Sequence, residues 1–239
     1  MKLTKAEIKF IDHYLIKNEV KWWDVRMELL DHIVSAVEDK ITNKGISFNE
    51  ALLDVHRGFG NQLITFSIPK KDLFKEGLYQ ANNGFKKFMR HKQKEIGRQQ
   101  RKEVFNVLKS LVLKPQFWLE YLLLLIFIVG VFTYSHKASL GFSFFLLFIP
   151  LVSTFKYAFK KELRYSIAGN MIFIYSTLVP QMILLPLNIW KEEIKTNPNL
   201  YYAIFIGLIF LFYPIARAES IHFTKKAKAI IERHKLLNS

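Results

Sequence analysis

Cysteine is absent from the 239 residues of the sequence. A disulfide framework, a cysteine nucleophile and a zinc–thiolate site are therefore excluded. Common catalytic motifs are missing as well: the chain has no Walker loop, no G-x-G-x-x-G, no G-x-S-x-G and no HExxH. Its 7 histidines are scattered rather than clustered. These absences predict a protein that is not an enzyme and that holds neither a cofactor nor a metal ion.

Acidic residues are scarce, with 20 Asp and Glu against 35 Lys and Arg and a formal net charge of +15. Hydrophobic residues nevertheless make up 51% of the chain and include 22 Phe. The two properties are segregated along the sequence, because the apolar residues lie mainly after position 115. The N-terminus lacks the continuous apolar core of a cleavable signal peptide, so none is predicted there.

Four apolar stretches are each long enough to cross a membrane. A helix of about 20 residues, rising 1.5 Å per residue, spans the roughly 30 Å hydrocarbon layer. Buried helices of a soluble protein are the alternative for any single stretch, but four of them in the second half of the chain favour membrane insertion. The predicted spans are residues 115–134, 140–159, 168–190 and 200–218.

Lysine and arginine are distributed unevenly among the segments that flank these spans. They are abundant before the first span, between the second and third spans, and in the tail at residues 219–239. The other two connections are nearly balanced in charge. Basic segments are retained in the cytoplasm, so the pattern predicts a multi-pass protein of the inner membrane with both termini cytoplasmic.

Residues 1–80 carry local signals for short helices and predict a small cytoplasmic helical domain in front of the membrane domain. Pro69 is suited to the first turn of a fourth helix. The whole chain is therefore predicted to be all-α. Three signals mark helix ends: a capping-box pattern at Thr4 and Glu7, a glycine stop at Gly45, and a second capping-box pattern at Ser47 and Glu50.

Polar residues between positions 28 and 52 raise the question of a metal or acid–base site. Adjacent residues on a helix point about 100° apart, so Asp31 and His32 cannot chelate from one face. Glu28 and His32 do share a face, but structural zinc sites usually have four ligands. A Glu28–His32 hydrogen bond or a polar partner surface is predicted instead. The residues concerned are Glu28, Asp31, His32, Glu38, Asp39 and Glu50.

Residues 26–60 read RMELLDHIVSAVEDKITNKGISFNEALLDVHRGFG, with an early basic residue, an acid, a late Asp-His pair and a Gly-x-Ser step. The stretch resembles the helical module of bacterial membrane proteins of the HTH-associated alpha-helical signalling type, over about residues 1–65. The resemblance implies a cytoplasmic sensor or adaptor fused to membrane spans, without enzyme activity. Such proteins are often encoded beside a PadR-like transcription regulator, which makes a regulator of this kind the candidate partner. The matching positions are Arg26, Glu28, Asp31, His32, Gly45, Ser47, Glu50, Ala51, Phe59 and Gly60.

Residues 81–114 are predicted to form a basic amphipathic helix that connects the two halves. An exposed connector, a membrane-surface helix and a nucleic-acid contact are the three interpretations. Anionic lipid headgroups are the nearest polyanion for a segment tethered beside a span, and no complete helix-turn-helix is evident, so direct nucleic-acid binding is not predicted. The residues predicted to meet the membrane surface are Lys86, Lys87, Arg90, Lys92, Lys94, Arg98, Arg101 and Lys102.

A partner surface is predicted around Trp22, Trp23 and Arg26, because Trp and Arg are enriched at binding hot spots. The two indoles are adjacent at a helix start and cannot both point into the same core. One of them is therefore expected to pack inside or lie against the membrane, and the other to anchor a partner.

Two functions from different classes follow. The first is a membrane signalling or adaptor protein whose N-terminal module binds a cytoplasmic protein. The second is a small transporter or permease subunit, for which Ser176, Thr177 and Gln181 beside Pro180 would line a path through a broken third span. Such residues more often form packing contacts between helices, which favours the first function.

Overall fold

The protein is all-α in the residues that its computed structural model describes, 2–61 and 82–238, with no strand among them. The predicted helix at Pro69 lies outside these residues. The helices are α1 Lys5–Lys17, α2 Trp23–Lys44, α3 Phe48–Gly58, α4 Asn83–Val112, α5 Pro115–Tyr134, α6 His136–Ala158, α7 Lys161–Arg164, α8 Ile167–Ile189, α9 Lys191–Thr196 and α10 Pro198–Asn238.

Two compact units divide the chain. The first contains Met1–Ile96 together with the short segment Tyr165–Ile167, and the second contains Gly97–Arg164 and Ala168–Ser239. The division falls inside α4, which lies within the predicted connecting helix 81–114. The early turns of α4 therefore belong to unit 1 and its later turns to unit 2.

The helix ends of unit 1 are fixed by local contacts that the sequence predicts. Both capping boxes are confirmed: the Thr4 and Ser47 side chains accept hydrogen bonds from backbone N–H groups, and Glu7 and Glu50 bond back. Gly45 ends α2 in the left-handed conformation, with φ of 64°, where a residue without Cβ is unstrained.

The core of unit 1 is built by α2, which packs against both α1 and α3. From Val25 onward its buried side chains recur at every fourth residue, so they form one stripe along the helix. Phe85 from α4 completes the core and is fully buried. The buried stripe of α2 consists of Val25, Leu29, Ile33 and Val37.

In unit 2, α10 packs against α6, α7 and α9, and α5 packs against α6. Helix α10 has 41 residues and continues through the predicted boundary at residue 218. The fourth predicted span and the basic tail therefore form one helix. Pro214 lies inside it without ending it, as is common in apolar helices whose neighbours satisfy the freed carbonyl.

Two helices of the described residues, Pro115–Tyr134 and Pro198–Leu237, are long and apolar enough to cross a membrane, by length and composition alone. The other two predicted spans fall on α6 and α8, each of 23 residues. The four-span arrangement thus remains a prediction. Only 11% of the apolar stretch of α5 and 33% of that of α10 is buried, unlike the core helix of a soluble protein.

Candidate functional site

The structure separates the three residues of the predicted partner surface. Trp22 precedes the first turn of α2 and is half-buried, whereas Trp23 is only 8% exposed and belongs to the core of unit 1. Arg26 donates from Nε to Asp12 Oδ1 at 2.9 Å, which ties α2 to α1. Trp23 is thus the indole that packs inside and cannot belong to an accessible partner surface, whereas Trp22 is the indole of the pair that stays partly exposed. Partner binding itself stays a prediction.

Beside these indoles, the start of α2 holds the segment Tyr165–Ile167, which belongs to the same unit. Trp23 N–H donates to the Tyr165 carbonyl at 2.9 Å. The Ser166 hydroxyl donates to Asp24 Oδ2 at 2.7 Å, and Ile167 N–H donates to Asp24 Oδ1 at 3.0 Å. All three bonds lie within unit 1 and join residues that are far apart in the sequence. We call this set of three bonds the Asp24 clasp.

The acidic residues of the stretch 28–52 serve structural contacts. Glu28 pairs with Lys92 at 2.7 Å, and Glu38 accepts from the Leu3 N–H at 2.8 Å. His32 Nε2 lies 3.9 Å from Glu28 Oε1, which is too far for a hydrogen bond. Of the two predicted alternatives, the polar partner surface therefore stays a prediction. No group of three or more metal-capable side chains occurs within residues 2–61 and 82–238.

A buried polar network, not predicted from the sequence, joins α1, α3 and α4. The Tyr14 hydroxyl forms a hydrogen bond with His56 Nδ1, and Asn61 Nδ2 lies 3.4 Å from the same nitrogen. Asn61 Oδ1 in turn accepts from Gly84 N–H at 2.8 Å. Burial, together with the nearby Arg57 charge, lowers the pKa of His56 to about 4. His56 is therefore neutral at pH 7.

Two of the eight predicted membrane-surface cations are already engaged within unit 1. Lys86 pairs with Glu19 at 3.1 Å. Lys92 pairs with Glu28 at 2.7 Å and with Glu95 at 3.3 Å, and the hydrogen bond that Lys92 donates to the Glu28 carboxylate raises the pKa of Lys92. The remaining six are exposed and have no carboxylate partner in the described part of the chain. These free cations are Lys87, Arg90, Lys94, Arg98, Arg101 and Lys102.

Three of the free cations line one open groove of unit 1. Lys87, Arg90 and Lys94 recur at three- and four-residue spacing along α4, and His91 lies between them. Phe59 and Phe88, whose rings meet edge to face, form the apolar side of this groove. A groove with this lining suits an anionic group beside an apolar one, which is the chemistry of a lipid headgroup.

A partly buried charge cluster lies in unit 2, where Glu103 of α4 meets α10. Glu103 accepts from Lys226 at 2.9 Å and from His222 Nε2 at 2.9 Å, and Gln99 donates to it at 2.9 Å. Burial opposes the charge on Glu103, but these hydrogen bonds outweigh it and hold its pKa at about 2. The cluster fixes α4 to α10 and was not predicted from the sequence.

No protein-family model matches the chain, and neither a curated protein nor a solved structure matches it. The resemblance of residues 1–65 to helical signalling modules therefore rests on the sequence pattern alone.

Proposed function

We propose that the chain is a non-enzymatic signalling or adaptor protein of the bacterial inner membrane. Its N-terminal helical module binds a cytoplasmic protein, for which a PadR-like transcription regulator is our candidate. Four spans anchor the module, and both termini lie in the cytoplasm. Anionic lipid headgroups contact the free cations of α4.

Membrane insertion is supported by the surface of α5. Large apolar side chains cover this helix and are half or more exposed, for example Leu119, Leu123 and Ile126. A continuous apolar surface of this kind is rare on soluble monomers and marks a membrane or protein interface. Trp118 lies near the start of the helix, as indoles do at a membrane–water interface.

The observation that carries the signalling proposal is the position of the Asp24 clasp beside Trp22. The clasp holds the residues that connect α7 to α8, and Trp22 directly precedes the two residues that form its bonds. A partner that binds Trp22 and changes the geometry at Asp24 alters the bonds that hold Tyr165–Ile167 within unit 1. We place the response of the chain to a cytoplasmic partner in this segment.

The topology part of the proposal predicts opposite behaviour for fusions after Asn199 and after the C-terminus. Alkaline phosphatase, which folds only outside the cytoplasm, should be active after Asn199 and inactive after Ser239. A fluorescent protein should show the reverse pattern. Phosphatase activity from the C-terminal fusion would contradict a scheme with an even number of spans and a cytoplasmic N-terminus.

The partner part predicts that Trp22→Ala weakens capture of a PadR-like regulator about thirtyfold, since loss of one hot-spot indole costs roughly 2 kcal/mol of binding. Trp22 is half-buried, so the melting temperature should change little. Capture is measured with the purified full chain and regulator, alongside melting curves.

Two variants serve as controls for this measurement. Ile16→Ala removes another exposed apolar side chain of unit 1 and should leave capture unchanged. Trp23→Ala removes a core side chain and should lower stability. Undiminished capture by Trp22→Ala would rule out the surface, and equal losses of capture and stability would assign Trp22 to the core.

A further inference from the structure

A pocket of about 310 Å³ opens in unit 2 where α6 ends and α8 begins. Leu163 and Phe223, both almost fully buried, form its floor within an apolar cluster of the core. Phe159 stands at its edge and is 84% exposed. The volume is at the lower end of the range for small-molecule sites. The pocket is large enough for the head and first methylene groups of an amphiphile.

The wall of the pocket is held in place by a close contact of helix backbones. At Gly169, a Cβ atom would lie only 2.4 Å from the Leu163 carbonyl oxygen, so only glycine allows α8 to approach α7 this closely. Asn170, the next residue, faces the pocket with a polar side chain. The close backbone contact at Gly169 therefore fixes the position of Asn170 on the polar side of the pocket.

Arg164 is the one charged residue among those that line the pocket. Arg164 lines the pocket, is exposed, and has no carboxylate partner among the described residues. A guanidinium with free N–H groups binds phosphate in a bidentate manner. Together with the amide of Asn170, it provides donors for an anionic head, and the phenyl rings provide an apolar surface for a chain.

We propose that this pocket binds the headgroup of an anionic phospholipid from the cytoplasmic leaflet, with Arg164 on the phosphate and Phe159 against the first methylene groups. The inference rests on the proposed membrane insertion, which places the connection between α6 and α8 at the cytoplasmic surface. That leaflet carries the anionic lipids and its potential favours basic residues.

The test uses the full chain, purified in detergent, and three probes. Dihexanoyl phosphatidylglycerol carries the anionic head and the chains, dihexanoyl phosphatidylcholine carries the same chains on a zwitterionic head, and glycerol phosphate carries the head alone. Binding is measured by native mass spectrometry and by thermal stabilisation. We expect phosphatidylglycerol to bind, phosphatidylcholine to bind at least about tenfold more weakly, and glycerol phosphate to give no stabilisation.

Variants assign the binding to the pocket. Arg164→Gln should weaken phosphatidylglycerol binding about tenfold or more, the loss expected for one charge-assisted hydrogen bond. The matched control Lys161→Gln removes an exposed cation three residues away that does not line the pocket, and should change binding less than twofold. Phe159→Ala should weaken binding of the lipid, and because the ring is exposed, it should leave the melting temperature of the unliganded protein unchanged.

Several outcomes would overturn the inference. Equal losses in Arg164→Gln and Lys161→Gln would show diffuse attraction to the basic surface, and equal stabilisation by glycerol phosphate would show a site for a soluble phosphate. Carbonate extraction is carried out on the cell membranes from which the chain is purified, before detergent is added. A chain that resists extraction but fails to bind phosphatidylglycerol overturns this inference alone, whereas a chain released by carbonate overturns both it and the proposed function.

Discussion

Acidification from pH 7 to pH 4 is expected to destabilise unit 1 by about 3 kcal/mol through His56. The imidazole is buried and neutral, and its pKa of about 4 lies below the ordinary value of 6.5. The unfolded chain therefore binds a proton more readily than the folded one. Its contribution to stability is complete above pH 6.5 and is lost as the pH falls toward 4. Each pH unit of this difference corresponds to about 1.4 kcal/mol.

The loss arises inside the polar network of unit 1. Protonation would place a cation among Tyr14 and Phe85, whose rings both lie about 6 Å from the imidazole. It would also turn Nδ1 from an acceptor for the Tyr14 hydroxyl into a donor. No acceptor for Nε2 exists within the described residues, so the charge gains little compensation.

Urea denaturation of the full chain in mild detergent measures the effect. Replacing Trp118 and Trp190 by Phe leaves the two tryptophans of unit 1 as the fluorescent reporters. The difference in unfolding free energy between pH 7 and pH 4 should shrink by about 3 kcal/mol in His56→Gln. The control His32→Gln, at an exposed position, should retain the dependence of the parent. An unchanged dependence in His56→Gln would contradict the assignment.

The features of the fold that could be predicted are those encoded by neighbours in sequence. A capping box joins residues three apart, and a glycine stop acts on the turn before it, so Thr4, Gly45 and Ser47 reveal helix ends directly. The first span was predicted with the same bounds as α5, because its apolar run is bounded by Pro115 and a polar turn.

The hydrogen bonds of the Asp24 clasp and of the Glu103 cluster could not be predicted, because they join residues that are far apart in the sequence. Ser166 and Asp24 are separated by 142 residues, and Lys226 and Glu103 by 123. Periodicity reports which face of a helix is apolar, not which distant helix covers it. An acid in a helix that is otherwise rich in Lys and Arg, such as Glu103, is a sequence signal for a charge contact of this kind, but it does not name the partner helix.

The division of α4 shows the same limit. Residues 81–114 have one composition and one helical period, which predicts a single connecting element. The structure divides this helix because Phe85 packs in the core of unit 1 while Glu103 bonds to α10 in unit 2. The C-terminal end of α10 differs from the prediction for a related reason. No glycine or other helix-stop signal separates the fourth predicted span, which ends at residue 218, from the basic tail.

Replacing Glu103 by Gln is expected to lower the free energy of unfolding of unit 2 by about 2 kcal/mol. The substitution keeps the shape of the side chain but removes the charge that His222 and Lys226 share, and His222 has a side chain only 6% exposed. Leaving such donors without a charged acceptor costs more than the net value of the bonds. The full difference between a pKa of about 2 and the ordinary 4.5 would give about 3 kcal/mol, and the partial exposure of Glu103 reduces it.

Thermal unfolding of the detergent-purified chain, followed by circular dichroism, tests this cluster against a matched control. Glu95→Gln removes a more exposed carboxylate of the same helix and should cost less than about 0.5 kcal/mol.

Because the folded-state pKa of Glu103 is depressed, its contribution is present above pH 4.5 and is lost as the pH falls toward 2. The stability gap between parent and Glu103→Gln should therefore close as the pH falls from 4.5 to 2, mostly at lower pH than the loss through His56. Equal losses in Glu103→Gln and Glu95→Gln, or a gap that persists at pH 2, would show that the Glu103 charge does not hold α4 to α10.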